Sequence, residues 1–322
     1  MARSDLLLTL VRSGSSGDRA LFRKTVEALI AEERAQQHHV LADNLAKYLE
    51  NGSLSKTTYL SNGEPPQSLF YEVTPRKQLL DLILPSVVQQ ACHELVEEHH
   101  RVELLRSYNL EPRNRILLTG PPGNGKTSLA EAIAESLLVP LIVVRYDGII
   151  GSFLGETASR LRKLFDYVRT RRCVLFFDEF DTLGKERGDP HDTGEVKRVV
   201  SSLLLQIDDL PSHIVVVTAT NHPELLDRAV WRRFQLRLQL PKPSRSQVQQ
   251  WFEALQKRIE FTLGYSISTL ADRLSGASFS ELEEFSNDIL RRWVLAAPNA
   301  EAKKIIRDRL EQWNSRFTPE RQ

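Results

Sequence analysis

Gly120-Pro121-Pro122-Gly123-Asn124-Gly125-Lys126-Thr127 decides how the rest of this chain reads. The stretch fills the pattern G-x-x-x-x-G-K-[ST]. An apolar run, Ile116 to Thr119, precedes it, and a helical pattern from Ser128 to Leu137 follows. A strand–loop–helix of this kind is a phosphate cradle. The glycines let backbone N–H groups converge on the phosphates, and the helix N-terminus adds a favourable dipole. Lys126 is placed to reach β- and γ-phosphates and the Thr127 hydroxyl to coordinate Mg²⁺, with Ser128 next in line. Average residue usage puts a chance match at roughly one per hundred chains of this length. The strand and helix context lowers that further, so a chance glycine-rich turn is set aside.

Outward from this loop, short apolar runs alternate with helical patterns. The runs are Ile116–Thr119, Leu141–Tyr146, Val174–Asp178, Ile214–Thr220 and Phe234–Leu240. The first four are continuously apolar, as in strands buried on both faces of a parallel sheet. The fifth, FQLRLQL, alternates and reads as an edge strand. The third ends in Asp178-Glu179, 178 − 120 = 58 residues after the first glycine. A buried strand that delivers two acids at its end suits phosphoryl chemistry. The first, Asp178, holds Mg²⁺ through water, and the second, Glu179, polarises the attacking water. Asp181 reads as local structure. Past Pro241 and Pro243 the periodicity predicts helices over about 246–261, 268–274, 280–297 and 300–317.

The other flank is simpler. Residues 1–52 read as a small helical unit, capped at Ser4 and Asp18 and stopped by Asn51-Gly52. Residues 53–67, rich in Ser, Asn, Gly and Pro, read as a linker. A helical stretch from Leu84 to Tyr108 carries His93, His99 and His100 among glutamates, but without zinc-protease spacing, so a solvated charged face is expected.

The chain has 322 residues, with 43 Lys+Arg against 42 Asp+Glu. The balance supplies no global attraction to nucleic acid or to an anionic membrane. Two cysteines, Cys92 and Cys173, cannot staple a chain this long, so a reducing cytosol is the default compartment. No segment approaches the apolar length needed to span a bilayer, and a self-anchored membrane protein is not expected.

The two motifs, their spacing and residues 68 to 318 resemble an ATPase of the narrow AAA clade. This is the group of motors like cell division cycle protein 48, katanin and FtsH. The resemblance implies a P-loop α/β domain over 68–241 with strand order 5-1-4-3-2, and a helical lid over 242–322. It implies ATP and Mg²⁺ as ligands. The strand ending in Val217-Thr-Ala-Thr-Asn221 resembles the sensor 1 strand, which makes Asn221 a group that positions the attacking water. HPELLDRAVWRRF resembles the second region of homology, which places Arg232 and Arg233 where arginine fingers act from a neighbouring subunit. Ser152-Phe153-Leu154-Gly155-Glu156 resembles the first pore loop, with Phe153, Leu154 and Gly155 gripping polypeptide in a central channel. Gly184 to Gly194 would be the second pore loop, and SGASFSEL the sensor 2 stretch.

Three positions depart from that pattern. Arg145 stands where many relatives carry an Asn or Ser that switches the catalytic Glu. Trp231-Arg232-Arg233-Phe234 lacks the usual spacer, which leaves open which arginine is the finger. Phe279-Ser280 replaces small residues against the nucleotide. Without H-E-x-x-H the chain is not expected to be an FtsH-type protease. The resemblance implies a homo-oligomeric ring, a hexamer, that hydrolyses ATP to remodel, unfold or translocate protein. Two other readings stay open: an ATPase subunit for a separately encoded effector such as a protease, and a nucleic-acid-associated ATPase. Phe153-Leu154-Gly155 and the neutral charge favour polypeptide over nucleic acid. Residues 1–52 would dock substrate or adaptor, or cap the oligomer.

Overall fold

The computed structural model describes residues 9, 19–35, 69–146, 154–181, 193–259, 261–296 and 300–315. The chain divides into two compact units, residues 1–63 and 64–322. In the first, α1 (Arg19–Ala35) is the amphipathic helix that follows Asp18, with Val26 and Ile30 buried. Apart from residues 9 and 19–35, the helical unit expected over 1–52 lies outside the described residues, as does the linker over 53–67.

The second unit opens with β1 (Phe70–Val73) and a single 3₁₀ turn at Leu79–Asp81. Then come α2 (Ser86–His100) and α3 (Val102–Ser107), two helices where the sequence pattern predicts one. The break is at Arg101, whose φ of −109° and ψ of 29° leave the helical region. The alternating layers follow: β2 (Arg115–Thr119), α4 (Lys126–Ser136), β3 (Leu141–Val144), α5 (Leu154–Arg169), β4 (Val174–Phe177), α6 (Thr193–Asp208), β5 (Val215–Thr220), α7 (Arg228–Arg233) and β6 (Leu236–Gln239). Four helices end the chain's described part: α8 (Arg245–Arg258), α9 (Ile267–Arg273), α10 (Phe279–Ala296) and α11 (Ala302–Ser315).

The sheet runs β1-β3-β4-β5-β2-β6. Its five strands from β2 onward are parallel and stand in the expected order 5-1-4-3-2. One strand is added at the edge of this expected parallel sheet. Residues 70–73 add an antiparallel strand to β3, pairing Phe70 with Val144 and Val73 with Leu141. β3, β4 and β5 are buried along their whole length, whereas β6 buries Leu236 and Leu238 and exposes Arg237 and Gln239. That difference is the physical content of the continuous and alternating patterns.

Each face of the sheet has its own apolar cluster. Leu161, Phe165, Leu204 and Ile207 from α5 and α6 cover one face. Leu95, Leu129 and Ile133 from α2 and α4 cover the other. Each such side chain contributes about 1.5–3 kcal/mol by leaving water. A third cluster is drawn wholly from residues 248–313, including Phe252, Leu270, Phe285 and Ile306. The C-terminal helices therefore carry a core of their own. Ser244 and Gln247 close a capping box at the start of α8, and Ser266 caps α9.

Candidate functional site

The site is built where β2 ends. Gly120 follows it with φ of 140°, and a Cβ there would collide with the carbonyl oxygen of Leu240. Only glycine lets β6 close against the loop, with Leu240 N–H donating to the Thr119 carbonyl at 2.8 Å. Lys126, the first residue of α4, folds back into the cradle. Its Nζ donates to the carbonyls of Gly120 (2.8 Å) and Pro121 (3.0 Å) and to Asn221 Oδ1 (2.6 Å). The sheet order makes this contact: β2 and β5 are neighbours in register, Thr119 beside Thr220, so Asn221 emerges next to the loop. Burial pulls the Lys126 pKa below its ordinary value, and the charges of Asp178 and Asp181 oppose the shift.

β4 delivers the acids. Asp178 accepts from the Thr127 hydroxyl at 2.9 Å through one oxygen and from the Glu179 N–H at 2.9 Å through the other. Glu179 has φ of 48°, the left-handed region, which costs a non-glycine residue about 1–3 kcal/mol. The neighbouring bonds hold it there: Phe180 N–H donates to the Ala219 carbonyl at 2.8 Å and so resumes pairing with β5. The kink turns the Glu179 side chain outward, exposed, while Phe177 and Phe180 stay buried. Asp181 is itself buried and accepts from the Thr220 hydroxyl at 2.9 Å; Thr220 in turn accepts from the His222 N–H. It ties the acid turn to the strand that carries Asn221, a role the sequence could not separate from a local turn.

Two features of the site escaped sequence reading. One is Tyr146, just past β3, whose hydroxyl is sealed from solvent and has no hydrogen-bond partner among the described residues. Its pKa is pushed well above the ordinary value by burial first, then by the charges of Asp178, Asp181 and Glu179. The other is an aromatic wall. A cleft of about 540 Å³ opens beside Gly123, Asn124, Gly125 and Ser128, bounded by the segment Lys77–Leu84 on one side and by Trp251, Phe279 and Ser280 on the other. Trp251 and Phe279 meet at 6.0 Å between ring centres, and the Trp251 indole N–H donates to Ser286 Oγ at 3.0 Å, which fixes the ring. α10 touches the phosphate loop directly, through Ser280 N–H to the Gly123 carbonyl at 2.9 Å. The lid stretch SGASFSEL marks Phe279, but Trp251 stands 279 − 251 = 28 residues away on a different helix and no motif marks it. The cleft has the length and character for a nucleoside: a phosphate cradle at one end and apolar area at the other.

Other expected residues lie elsewhere. Arg232 and Arg233 end α7 before β6, whose first bond joins Gln235 N–H to the Arg115 carbonyl at the start of β2. They therefore stand at the opposite end of the sheet from the phosphate loop. The five residues of β2 separate them from it, about 16 Å at the usual rise. Arg233 pairs with Asp208, which also binds Arg115 at 2.7 Å; Arg232 is exposed and has no ion pair among the described residues. Phe153 and residues 184–192 of the expected second pore loop lie outside the described residues, and the last residue of that stretch, Gly194, stands in the first turn of α6. Leu154 and Gly155, expected in a loop, instead form the first turn of α5. Arg145 is exposed, with its N–H donated to the Leu69 carbonyl of the added edge. His99 is engaged with the Arg113 carbonyl at 2.8 Å, and among the described residues no group of three or more His, Cys, Asp or Glu is placed to hold a metal. Cys92 and Cys173 are free and buried, and burial pushes both thiols up to about 12. Among the described residues no helix is long and apolar enough to cross a membrane.

The profile of the ATPase family associated with various cellular activities (AAA) matches residues 116–242, from β2 through the end of β6. An uncharacterized AAA family ATPase of Sinorhizobium fredii is 34% identical over 318 residues, 96% of this chain and 93% of that protein. A cell division cycle protein 48 homolog of Archaeoglobus fulgidus is 34% identical over 186 residues, 56% of this chain but 25% of that longer protein. A putative 26S proteasome regulatory subunit homolog of Methanothermobacter marburgensis is 26% identical over 265 residues, 81% of this chain and 70% of that protein. The likeness to the first of these runs through nearly the full length of both proteins, and with it the chain belongs to the AAA family of ATPases.

Proposed function

We propose that this ATPase couples ATP hydrolysis to remodelling, unfolding or translocating protein substrates, as a ring of identical subunits, a hexamer. One observation carries the ring. The groups gathered on the phosphate loop are Lys126, Thr127, Asp178, Glu179 and Asn221, and the two arginines lie a strand's length away. A transferring phosphoryl group develops charge that one lysine only partly answers. Arginines beyond reach of their own site complete a neighbour's. Arg232, exposed, is the one free to reach across; Arg233 is held by Asp208 and sets the end of α7.

Within one subunit the roles follow from the contacts. Lys126 exchanges its carbonyl partners for phosphate oxygens. Asn221, already bonded to Lys126 at 2.6 Å, lies where it orients a water against the terminal phosphate. Glu179 accepts the proton of that water. The paired oxygens of Thr127 and Asp178 are a hard-oxygen donor set that fits Mg²⁺, with Thr127 holding it directly and Asp178 through water. The metal supplies charge neutralisation on the phosphates. The base lies in the cleft against Trp251 and Phe279.

The protein substrate rests on the names of the relatives, a cell division cycle protein 48 homolog and a proteasome regulatory subunit homolog, and on Phe153, whose aromatic area grips chains by shape. Residues 1–52 serve as the docking element, and a separate effector is compatible with this reading. Adding a permanently unfolded polypeptide should raise ATP turnover severalfold, whereas double-stranded DNA should not. Stimulation by DNA alone would overturn the protein-motor reading.

A further inference from the structure

Lys77 reaches the phosphate loop from outside residues 116–242, the stretch that the family profile covers. The segment after β1 crosses α4 and is tied to it at two carboxylates one helical turn apart. Glu131 Oε1 accepts from the backbone N–H groups of Arg76 (3.1 Å) and Lys77 (3.4 Å), and Glu135 Oε1 accepts from Gln78 Nε2 at 3.4 Å. Leu79, which opens the 3₁₀ turn, is buried in the same apolar cluster as Leu129 and Ile133 of α4. These ties set the course of the Lys77 side chain. It runs along α4 toward the helix N-terminus, where Nζ donates to Ser128 Oγ at 2.8 Å. Ser128 stands 131 − 128 = 3 residues before Glu131, one turn nearer the phosphate loop.

Ser128 is where the cradle meets the cleft. Lys126, Thr127 and Ser128 open α4, and N–H groups in the first turn of a helix have no carbonyl partner within it, so they face an anion. Lys126 and Thr127 serve the terminal phosphates and the metal. Ser128 lines the cleft that leads to Trp251 and Phe279, and Lys77 lines it too. A phosphate chain laid from the cradle toward the aromatic wall passes Ser128 with the phosphate nearest the nucleoside. An ammonium carries three donors. Ser128 takes one, and Glu131 Oε2, at 3.9 Å, is an ion-pair partner beyond hydrogen-bond length. Ser128 Oγ accepts from Lys77, which leaves its own proton to donate. The Lys77 side chain is half exposed, and an ion pair of that exposure adds little stability. We infer that Lys77 is a second phosphate-binding cation: with nucleotide in the cleft, its ammonium donates to the α-phosphate beside the Ser128 hydroxyl, while Lys126 takes the terminal phosphates. This rests on the reading of residues 120–127 as the ATP cradle. The α-phosphate keeps its charge while the γ-phosphoryl group leaves, so the contact is equal in the bound and transition states. Binding of that kind sets KM and leaves kcat alone.

The test compares full-length wild type, Lys77→Met, Lys77→Arg and Lys126→Ala by isothermal titration of ADP and ATP, steady-state turnover and thermal unfolding. Met keeps the apolar stem and deletes the charge. Lys77→Met should weaken ADP and ATP binding alike, by roughly 5- to 30-fold, the worth of a charged hydrogen bond at a half-exposed site. KM for ATP should rise by the same factor, with kcat kept and the unliganded Tm unchanged. Lys77→Arg restores the cation and should recover most of the affinity. A loss for ATP but not for ADP, or an equal loss in Lys77→Met and Lys77→Arg, would overturn the inference. Wild-type affinities in Lys77→Met would overturn it too, and with a lowered unliganded Tm they would leave Lys77 as a brace on α4. If Lys126→Ala also binds ATP as wild type does, the cradle is misassigned and the inference falls with it; if Lys126→Ala fails to bind while Lys77→Met binds normally, only the inference falls.

Discussion

The phosphate end and the base end of the cleft are built on opposite principles. At the phosphate end, side chains from α4, β4 and β5 converge through short polar bonds: Lys126 to Asn221 at 2.6 Å, Thr127 to Asp178 at 2.9 Å. One of them, Glu179, sits on a strained backbone. At the base end, the C-terminal helices offer area: two aromatic rings at 6.0 Å and a single backbone bond, Ser280 N–H to the Gly123 carbonyl. Charge placed on rigid strands acts all or none, because a misplaced or missing group leaves others buried and unpaired. Area acts by degrees. Substitutions at the two ends should therefore differ in kind as well as in size.

Lys126→Ala should show the largest effect. It removes the cation that joins the loop to Asn221, and isothermal titration should find ATP affinity weaker by more than about 100-fold. Near-normal affinity would erase the contrast between the ends. Glu179→Gln should keep ATP binding and lose turnover by about 10²- to 10⁴-fold, since an amide cannot accept the water's proton; retained turnover in a phosphate-release assay would move the base elsewhere. Gly123→Ala probes the seam. Its φ of 74° disfavours a side chain, and a Cβ there would lie 3.0 Å from Ser278 Oγ and 3.2 Å from Ser280 Cβ. The cost should be about 1–3 kcal/mol in unfolding free energy, read by chemical denaturation, with the α10 contact loosened; unchanged stability would mean the helices do not lean on the loop. Trp251→Ala should have the smallest effect. KM for ATP should rise about tenfold with kcat nearly kept, and the nucleotide-dependent change in tryptophan fluorescence should be reduced. An unaltered KM would place the base off the aromatic wall.

The same contrast explains what the sequence made legible. The phosphate end announces itself because its chemistry demands fixed residue types at fixed spacing next to a strand, so Gly120 to Thr127 and Asp178-Glu179 could be read directly. The parallel strands were legible for a related reason: burial on both faces leaves runs such as VLFF with no polar position. The antiparallel edge at 70–73 was not, because Phe70 is buried and Tyr71 and Glu72 are exposed, a pattern with neither period. The place of Trp251 beside Phe279, the buried Asp181 brace and the sealed Tyr146 hydroxyl were hidden because each depends on elements distant in sequence. The placement of Arg232 and Arg233 lies between these cases. Their presence was readable, but only the fold shows them a strand's length from their own phosphate loop.

That separation is the basis of the central claim, that each site is completed by a neighbour. The direct test mixes Arg232→Ala subunits with Glu179→Gln subunits and follows ATP turnover. Each variant alone should bind ATP and be nearly inactive, with Arg232→Ala lowered about 10³-fold or more. In the mixture, the intact Glu179 of one chain meets the intact arginine of the other at some contacts, so activity should reappear. Wild-type specific activity should also rise with protein concentration as subunits assemble. A mixture no more active than its components, with wild-type activity independent of concentration, would contradict the account and leave Arg232 and Arg233 as a surface pair braced by Asp208.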